Sequence, residues 1–146
     1  MSASPTFPIV QSYLNFDGCC EEALEYYKKA LGAEVEMIVR FKDNPDKDKC
    51  PTDASNDNKI MHTSFRIGST TVMASDCHAA GKPEFKGFSL SLSLATEADV
   101  DKFFNALADG GKVEMPPSPT FWSPRFGMVT DRFGINWMVM ACQPQA

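Results

Sequence analysis

Residues 9–16 predict a strand: at a period of two Leu14 and Phe16 share one face and Gln11, Tyr13 and Asn15 the other. After Asp17-Gly18 the period lengthens. Cys20, Ala23, Leu24, Tyr27 and Leu31 recur at steps of three and four, the stripe of an amphipathic helix over residues 19–31. Asp17 is the expected N-cap. Glu21, Glu22 and Glu25 precede Lys28 and Lys29 as the helix dipole favours, and Gly32 stands where a left-handed C-terminal residue is wanted. Alternation returns over residues 34–40, 60–67 and 70–76, the last two joined by Gly68-Ser69, a two-residue hairpin turn. Residues 41–59 break the pattern. They are rich in Asp, Asn, Lys, Pro and Ser, and are too long for a simple connection. This segment reads as a solvated loop, a lid over a pocket, or an arm reaching a partner subunit.

The order then repeats. Residues 77–86 read as a linker and 87–94 as a strand. Thr96 with Asp99 resembles a capping box, and Val100, Phe103, Phe104 and Leu107 line one helix face that ends at Gly110-Gly111. A strand over 112–115 is expected to stop at Pro116, Pro117 and Pro119, ahead of Phe121-Trp122. Residues 126–130 and 135–141 form a hairpin around Asp131-Arg132-Phe133-Gly134. The segment Ala30-Leu31-Gly32-Ala33-Glu34-Val35-Glu36-Met37 matches Ala108-Asp109-Gly110-Gly111-Lys112-Val113-Glu114-Met115 at five of eight positions, at the same helix end in both halves. Each half therefore reads strand–helix–strand–strand–strand.

A chain of 146 residues with 43% hydrophobic and 23% charged residues can bury a core of its own. The expectation is an α+β fold in which residues 1–146 form a single domain of two tandem βαβββ units, about 9–76 and 87–142. A net charge of −5 offers no basic field to a phosphate backbone, so no nucleic acid is expected as partner. No apolar run approaches the roughly 20 residues of a membrane helix, and the first residues lack the basic and apolar segments of a secretory signal. A cytoplasmic protein without membrane association is the expectation. The cysteines, Cys19, Cys20, Cys50, Cys77 and Cys142, are odd in number and include no CxxC pair, which suits reduced, mostly buried thiols. Cys19 lies near a helix N-terminus, where the dipole lowers a thiol pKa, and is the candidate reactive thiol.

Residues 13–27 (Tyr-Leu-Asn-Phe-Asp-Gly-Cys-Cys-Glu-Glu-Ala-Leu-Glu-Tyr-Tyr) and residues 126–138 (Phe-Gly-Met-Val-Thr-Asp-Arg-Phe-Gly-Ile-Asn-Trp-Met), with His62, Arg66 and residues 73–76, resemble the PhnB-like branch of the vicinal-oxygen-chelate superfamily of glyoxalases, bleomycin-resistance proteins and extradiol dioxygenases. The resemblance implies curved four-stranded sheets, each with its helix on the convex side, that enclose a cleft, and association into homodimers. In active members it also implies a divalent metal held by His and Glu side chains from the first and fourth strands of each unit. Here those positions fall on Gln11, on Ala74 (or Met73 if the register slips), on Gly87 or Phe88, and on Met138, none of them His, Asp or Glu. No cofactor is therefore expected, and an atypical divalent metal on His62 and Asp76 is the alternative. A methyltransferase activity would need a glycine-rich strand–helix turn followed by a ribose-binding acid, and neither is present.

Strand parity puts Gln11, Tyr13, Asn15, His62, Ser64, Ser89, Ser91, Asn136 and Met138 on the faces away from the helices, a lining suited to a small polar organic ligand. Trp122 and Phe121 are a pocket lip or the cover of a sheet edge, Arg125 an anion partner or a solvated cation, and Trp137 a core residue. The expected ligand-binding residues are Gln11, Tyr13, His62, Ser64, Trp122, Arg125 and Met138. Three functions remain open. The first is a metal-free protein binding a small molecule. The second is a lyase- or isomerase-type enzyme with His62 as general base within reach of Asp76. The third is a ligand-free structural dimer module.

Overall fold

The computed structural model describes residues 7–45, 57–76 and 83–142. His78, Cys50, Cys77 and most of the expected linker and of the 41–59 segment lie outside them. The chain divides into two compact units, Met1–Pro83 and Glu84–Ala146.

In the first unit, strand β1 (Tyr13–Asn15) leads into helix α1 (Cys20–Leu31), then β2 (Glu34–Arg40), β3 (Ile60–Ile67) and β4 (Thr70–Ser75). The sheet order is β1-β4-β3-β2, with β1 parallel to β4 and the other pairs antiparallel. The hairpin register, Ile67 opposite Thr70, is the one a two-residue Gly68-Ser69 turn imposes, and Gly68 has φ 59°. One face of the sheet is apolar: Leu14, Thr63, Phe65, Val72 and Ala74 are all buried. Against it α1 lays the stripe expected from its sequence, Cys20, Ala23, Leu24, Tyr27 and Leu31, together with Ala30. Tyr27 stacks on Phe65 with ring centroids 6.0 Å apart. Each such large apolar side chain contributes about 2 kcal/mol by leaving water. Thr63, the polar member of the buried face, donates its hydroxyl to the Met37 carbonyl at 2.7 Å.

Asp17 does not cap α1. Cys19 is the N-cap residue and its side chain makes no capping bond. The acceptor comes from 56 residues downstream: Asp76 Oδ1 takes the backbone N–H of Gly18 (2.8 Å) and of Cys20 (3.0 Å), and its Oδ2 takes that of Ile60 (3.2 Å). One carboxylate thus closes the end of β4, the start of β3 and the positive end of α1 together.

The strand expected over 9–16 is confined to residues 13–15. Residues 9 and 10 pair with no strand among the described residues, and Val10 is 98% exposed. The 41–59 segment is not patternless at its ends. Phe41–Asp43 form a 3₁₀ turn with Phe41 buried, and Phe41 and Lys42 donate their N–H groups to the carbonyls of Lys59 and Asp57.

The second unit repeats the plan: β5 (Leu90–Leu94), α2 (Glu97–Ala108), β6 (Lys112–Ser118), β7 (Phe126–Thr130) and β8 (Asn136–Ala141), with sheet order β5-β8-β7-β6. Thr96 caps α2 by accepting from Asp99 N–H at 3.1 Å. Strand β6 does not stop at the prolines. It runs through Pro116 and Pro117 because it is an edge strand, where a missing N–H removes no ladder bond, and its register shifts between Met115 and Ser118. The face toward α2 holds Val129, Trp137, Val139 and Ala141, all buried, against Val100, Phe104 and Leu107 of the helix. Phe103, expected on that stripe, is half-exposed, with the Lys102 ammonium 5.5 Å from its ring centre.

Asp131 is the buried polar centre of this unit. Its Oδ1 accepts from Phe133 N–H (2.8 Å) and Ile135 N–H (3.1 Å), and its Oδ2 from Trp137 Nε1–H (2.8 Å). The β7–β8 turn is therefore held from inside, by a carboxylate that is 2% exposed. No helix among the described residues is long and apolar enough to cross a membrane.

Candidate functional site

In the first unit the face away from α1 is set by strand parity. Tyr13 pairs with Met73 in the β1–β4 ladder and Met73 with Ser64 in the β4–β3 ladder, so these three stand in one row across the sheet. His62 lies one step along β3 on the same face. Tyr13 and His62 meet there: the phenol oxygen is 3.0 Å from His62 Nδ1, and the two rings stack with centroids 5.6 Å apart and planes 28° from parallel. Tyr13 is 43% exposed and His62 is half-exposed, so the pair fronts solvent rather than core. Nδ1 is occupied; Nε2 has no protein partner among the described residues. Ser64 is half-buried on the same face, and Gln11 is exposed two residues before Tyr13. Four of the expected ligand-binding residues, Gln11, Tyr13, His62 and Ser64, thus belong to this unit, and two of them are in direct contact.

Asp76 is not the partner of His62. The hairpin register puts Thr63 opposite Ala74, which sends Asp76 to the helix side of the sheet and His62 to the other. The Asp76 carboxylate is taken up by the three backbone N–H groups described above, so the His62–Asp76 pairing, catalytic or metal-binding, is corrected to His62–Tyr13. Arg66, farther along β3, is held by Glu34 and lies 3.9 Å from Glu36, at the charged end of the same face.

In the second unit the face away from α2 is rich in thioethers. Met115, Met128 and Met138 are direct neighbours across β6, β7 and β8, and Ser91 pairs with Met138 from β5. The next row holds Met140 opposite Phe126, and Trp122 packs edge-on against Phe126 at 5.3 Å while touching Phe121 at 4.7 Å. Trp122 is 46% exposed and Phe121 90%. Ser89 donates to Asn136 Oδ1 at 2.5 Å, and Asn136 donates to Thr130 Oγ1 at 3.3 Å, which closes the polar end of the face. Arg125 pairs with α2: its Nε donates to Asp101 Oδ1 at 2.6 Å, which ties up one edge of the guanidinium. Nothing local signals that pairing, because the two residues are 24 positions apart on different elements.

The ladders also show which residues face the open side near the positions where the resemblance implies metal ligands. Met73 and not Ala74 stands on the open face, in the place that Met138 takes in the second unit, each paired in parallel with a first-strand residue, Tyr13 or Ser91. Two residues before these lie Gln11 and Ser89, so Ser89 replaces the expected Gly87 or Phe88 as the match to Gln11. An amide, a hydroxyl and two thioethers are neutral or soft donors. A Zn²⁺, Ni²⁺, Mn²⁺ or Fe²⁺ centre is built from imidazole and carboxylate, and this set does not fit one. No three of His, Cys, Asp and Glu among the described residues are grouped so as to hold a metal ion.

The two thiols at the start of α1 are not activated. Burial raises the Cys19 pKa, with the Asp76 and Glu22 charges adding to it and the Asp17 backbone opposing, so the lowering expected from the helix dipole is reversed. Burial raises Cys20 further, again with Asp76 beside it. Glu21 is held below the usual carboxylate range by its hydrogen bond to Arg40, a surface pair of little weight for stability.

Known proteins resemble this chain over nearly its whole length. The model of the Glyoxalase/Bleomycin resistance protein/Dioxygenase superfamily matches residues 11–139. Protein YjdN of Escherichia coli (strain K12) is 36% identical over 139 residues, 91% of this chain and 95% of YjdN. The crystal structure of protein PA1353 from Pseudomonas aeruginosa superimposes with a TM-score of 0.80 at 43% identity, covering 92% of this chain and 98% of PA1353. A PhnB protein from Bacillus cereus, described as a putative 3-demethylubiquinone-9 3-methyltransferase, shares the fold with a TM-score of 0.74 at 24% identity, covering 91% of this chain and 98% of its own.

Proposed function

We propose that this chain, which belongs to the Glyoxalase/Bleomycin resistance protein/Dioxygenase superfamily, binds a small polar organic molecule on the helix-free face of its first sheet, through Tyr13 and His62, without the superfamily's divalent metal. The observation that carries this reading is the Tyr13–His62 contact: two aromatic rings held together by a hydrogen bond and a stack, on an exposed face, with Nε2 taken by no other side chain among the described residues. Ser64 adds a hydroxyl from the same sheet, Gln11 an exposed amide from the segment leading into β1, and Met73, in the ladder row between Tyr13 and Ser64, an adaptable apolar patch. Met138 and Trp122 give the second unit's open face a similar apolar character.

The same geometry favours one alternative. An imidazole hydrogen-bonded to a phenol is also the arrangement of a general acid–base pair, so a lyase- or isomerase-type reaction at His62 is the second reading.

Thermal-shift screening against a panel of carboxylates, phosphonates and phenols of metabolite size tests the proposal. At least one compound is expected to raise Tm for the unaltered protein and to lose that effect in His62→Ala. The unliganded Tm of the variant should stay within about 2 °C, since a half-exposed face residue is worth roughly 0.5 kcal/mol. A compound that stabilises both proteins equally would place the binding site elsewhere. Turnover of that compound, abolished by His62→Ala, would select the enzymatic reading.

A further inference from the structure

We infer that Tyr13 fixes the tautomer of His62, so that the site selects a ligand presenting a hydrogen-bond acceptor, an oxygen of the carbonyl, carboxylate or phosphonate type; this rests on the binding reading given above. The phenol oxygen is 3.0 Å from Nδ1. A phenol O–H is a good donor, and the bare ring nitrogen of a neutral imidazole is a better acceptor than a phenol oxygen. The bond therefore runs from Tyr13 O–H to Nδ1, and the one proton of the neutral ring sits on Nε2. The stack, 28° from parallel, holds the plane of the imidazole and with it the direction of the Nε2–H. His62 then offers a donor, and a ligand that carries only donors or a bare cation finds no acceptor on it.

The surroundings do not oppose this assignment. Asp76, the acid that could draw the proton to a ring nitrogen, is on the other face and occupied by three N–H groups. Glu34 and Glu36 flank Arg66 at the far end of β3. Tyr13 is in this sense a positioning residue, acting on the ligand through His62 as an outer partner acts on a metal-bound histidine.

The chain has two histidines, His62 and His78, so ¹⁵N-histidine labelling yields two ring systems, and His62→Gln identifies which is which. At a pH where imidazole is neutral, His62 is expected almost wholly as the Nε2–H form. In Tyr13→Phe, which keeps the ring and loses the hydroxyl, the balance should relax by about fivefold toward the Nδ1–H form, the scale of one net hydrogen bond. Benzoate should then shift the Nε2 signal of the unaltered protein, and benzyltrimethylammonium, which has no acceptor, should not. A tautomer balance unchanged in Tyr13→Phe, or an Nδ1–H form in the unaltered protein, overturns the inference and leaves the binding reading standing. A correct tautomer with neither probe nor any stabilising compound of the panel touching His62 overturns both.

Discussion

Replacing Asp131 with alanine is expected to cost about 3 kcal/mol and to lower Tm by roughly 10 °C. The substitution leaves three donors, Phe133 N–H, Ile135 N–H and Trp137 Nε1–H, without their acceptor inside a unit where the carboxylate is 2% exposed. Hydrogen bonds to an ionised acceptor are the stronger kind, and unmade ones in a buried site carry the full desolvation cost. Asp131→Asn keeps one oxygen for the two backbone groups but turns an NH₂ toward the indole N–H, or the reverse, and should lose about half as much. The chain has two tryptophans, and Trp122 is already half-exposed, so a red shift of fluorescence in Asp131→Ala reports the loosening of Trp137. A Tm within about 3 °C of the unaltered protein would mean that water replaces the carboxylate at little cost, and the account of this turn would be wrong.

Asp76→Ala is expected to act on the first unit with a similar cost, about 3 kcal/mol, because it removes the acceptor for Gly18, Cys20 and Ile60 and the negative charge at the start of α1 together. The amides of Gly18, Cys20 and Ile60 should then exchange at least tenfold faster in Asp76→Ala than in the unaltered protein. Asp76→Asn should recover part of the loss, since its single carbonyl oxygen can still accept the two bonds that Oδ1 now takes. If the three amides remained equally protected in Asp76→Ala, the carboxylate would be a bystander. The loss of Asp76 is further expected to leave the Tyr13–His62 contact in place, because the two groups lie on opposite faces of the sheet.

The parts of the fold that depend on neighbours in sequence could be read from the sequence. The stripe Cys20, Ala23, Leu24, Tyr27, Leu31 and the alternation of Ile60–Ile67 state which side of each element is buried, and the match between residues 30–37 and 108–115 reveals the duplication. What could not be read depends on which distant residue arrives at an element's end. Asp17 looked like the cap of α1 because it is adjacent; Asp76 does the work because the hairpin brings the end of β4 beside the helix start. Pro116 and Pro117 looked like a strand terminus because the edge position of β6 is a property of the sheet and not of the segment. Arg125 looked free because Asp101 lies on the other side of a helix–strand packing.

The candidate site was half legible. Parity alone put Tyr13, His62 and Ser64 on one face, and they are there. The placement of Asp76 follows from the turn: two residues at Gly68-Ser69 pair residue 63 with 74 and so assign 76 to the buried side. The contact between Tyr13 and His62 was not legible, because it needs the parallel pairing of β1 with β4 and nothing local announces that ladder.

The most direct test of the central claim, that this member of the superfamily keeps an open polar face for an organic ligand and has exchanged the metal-holding side chains for Gln11, Met73, Ser89 and Met138, is native mass spectrometry of the desalted protein after incubation with excess Zn²⁺, Ni²⁺ and Mn²⁺ and, separately, with the stabilising compound from the panel. The account predicts a one-to-one adduct with the organic compound that disappears in His62→Ala, and no stoichiometric metal adduct. A one-to-one complex with any of the three ions that survives desalting would contradict it.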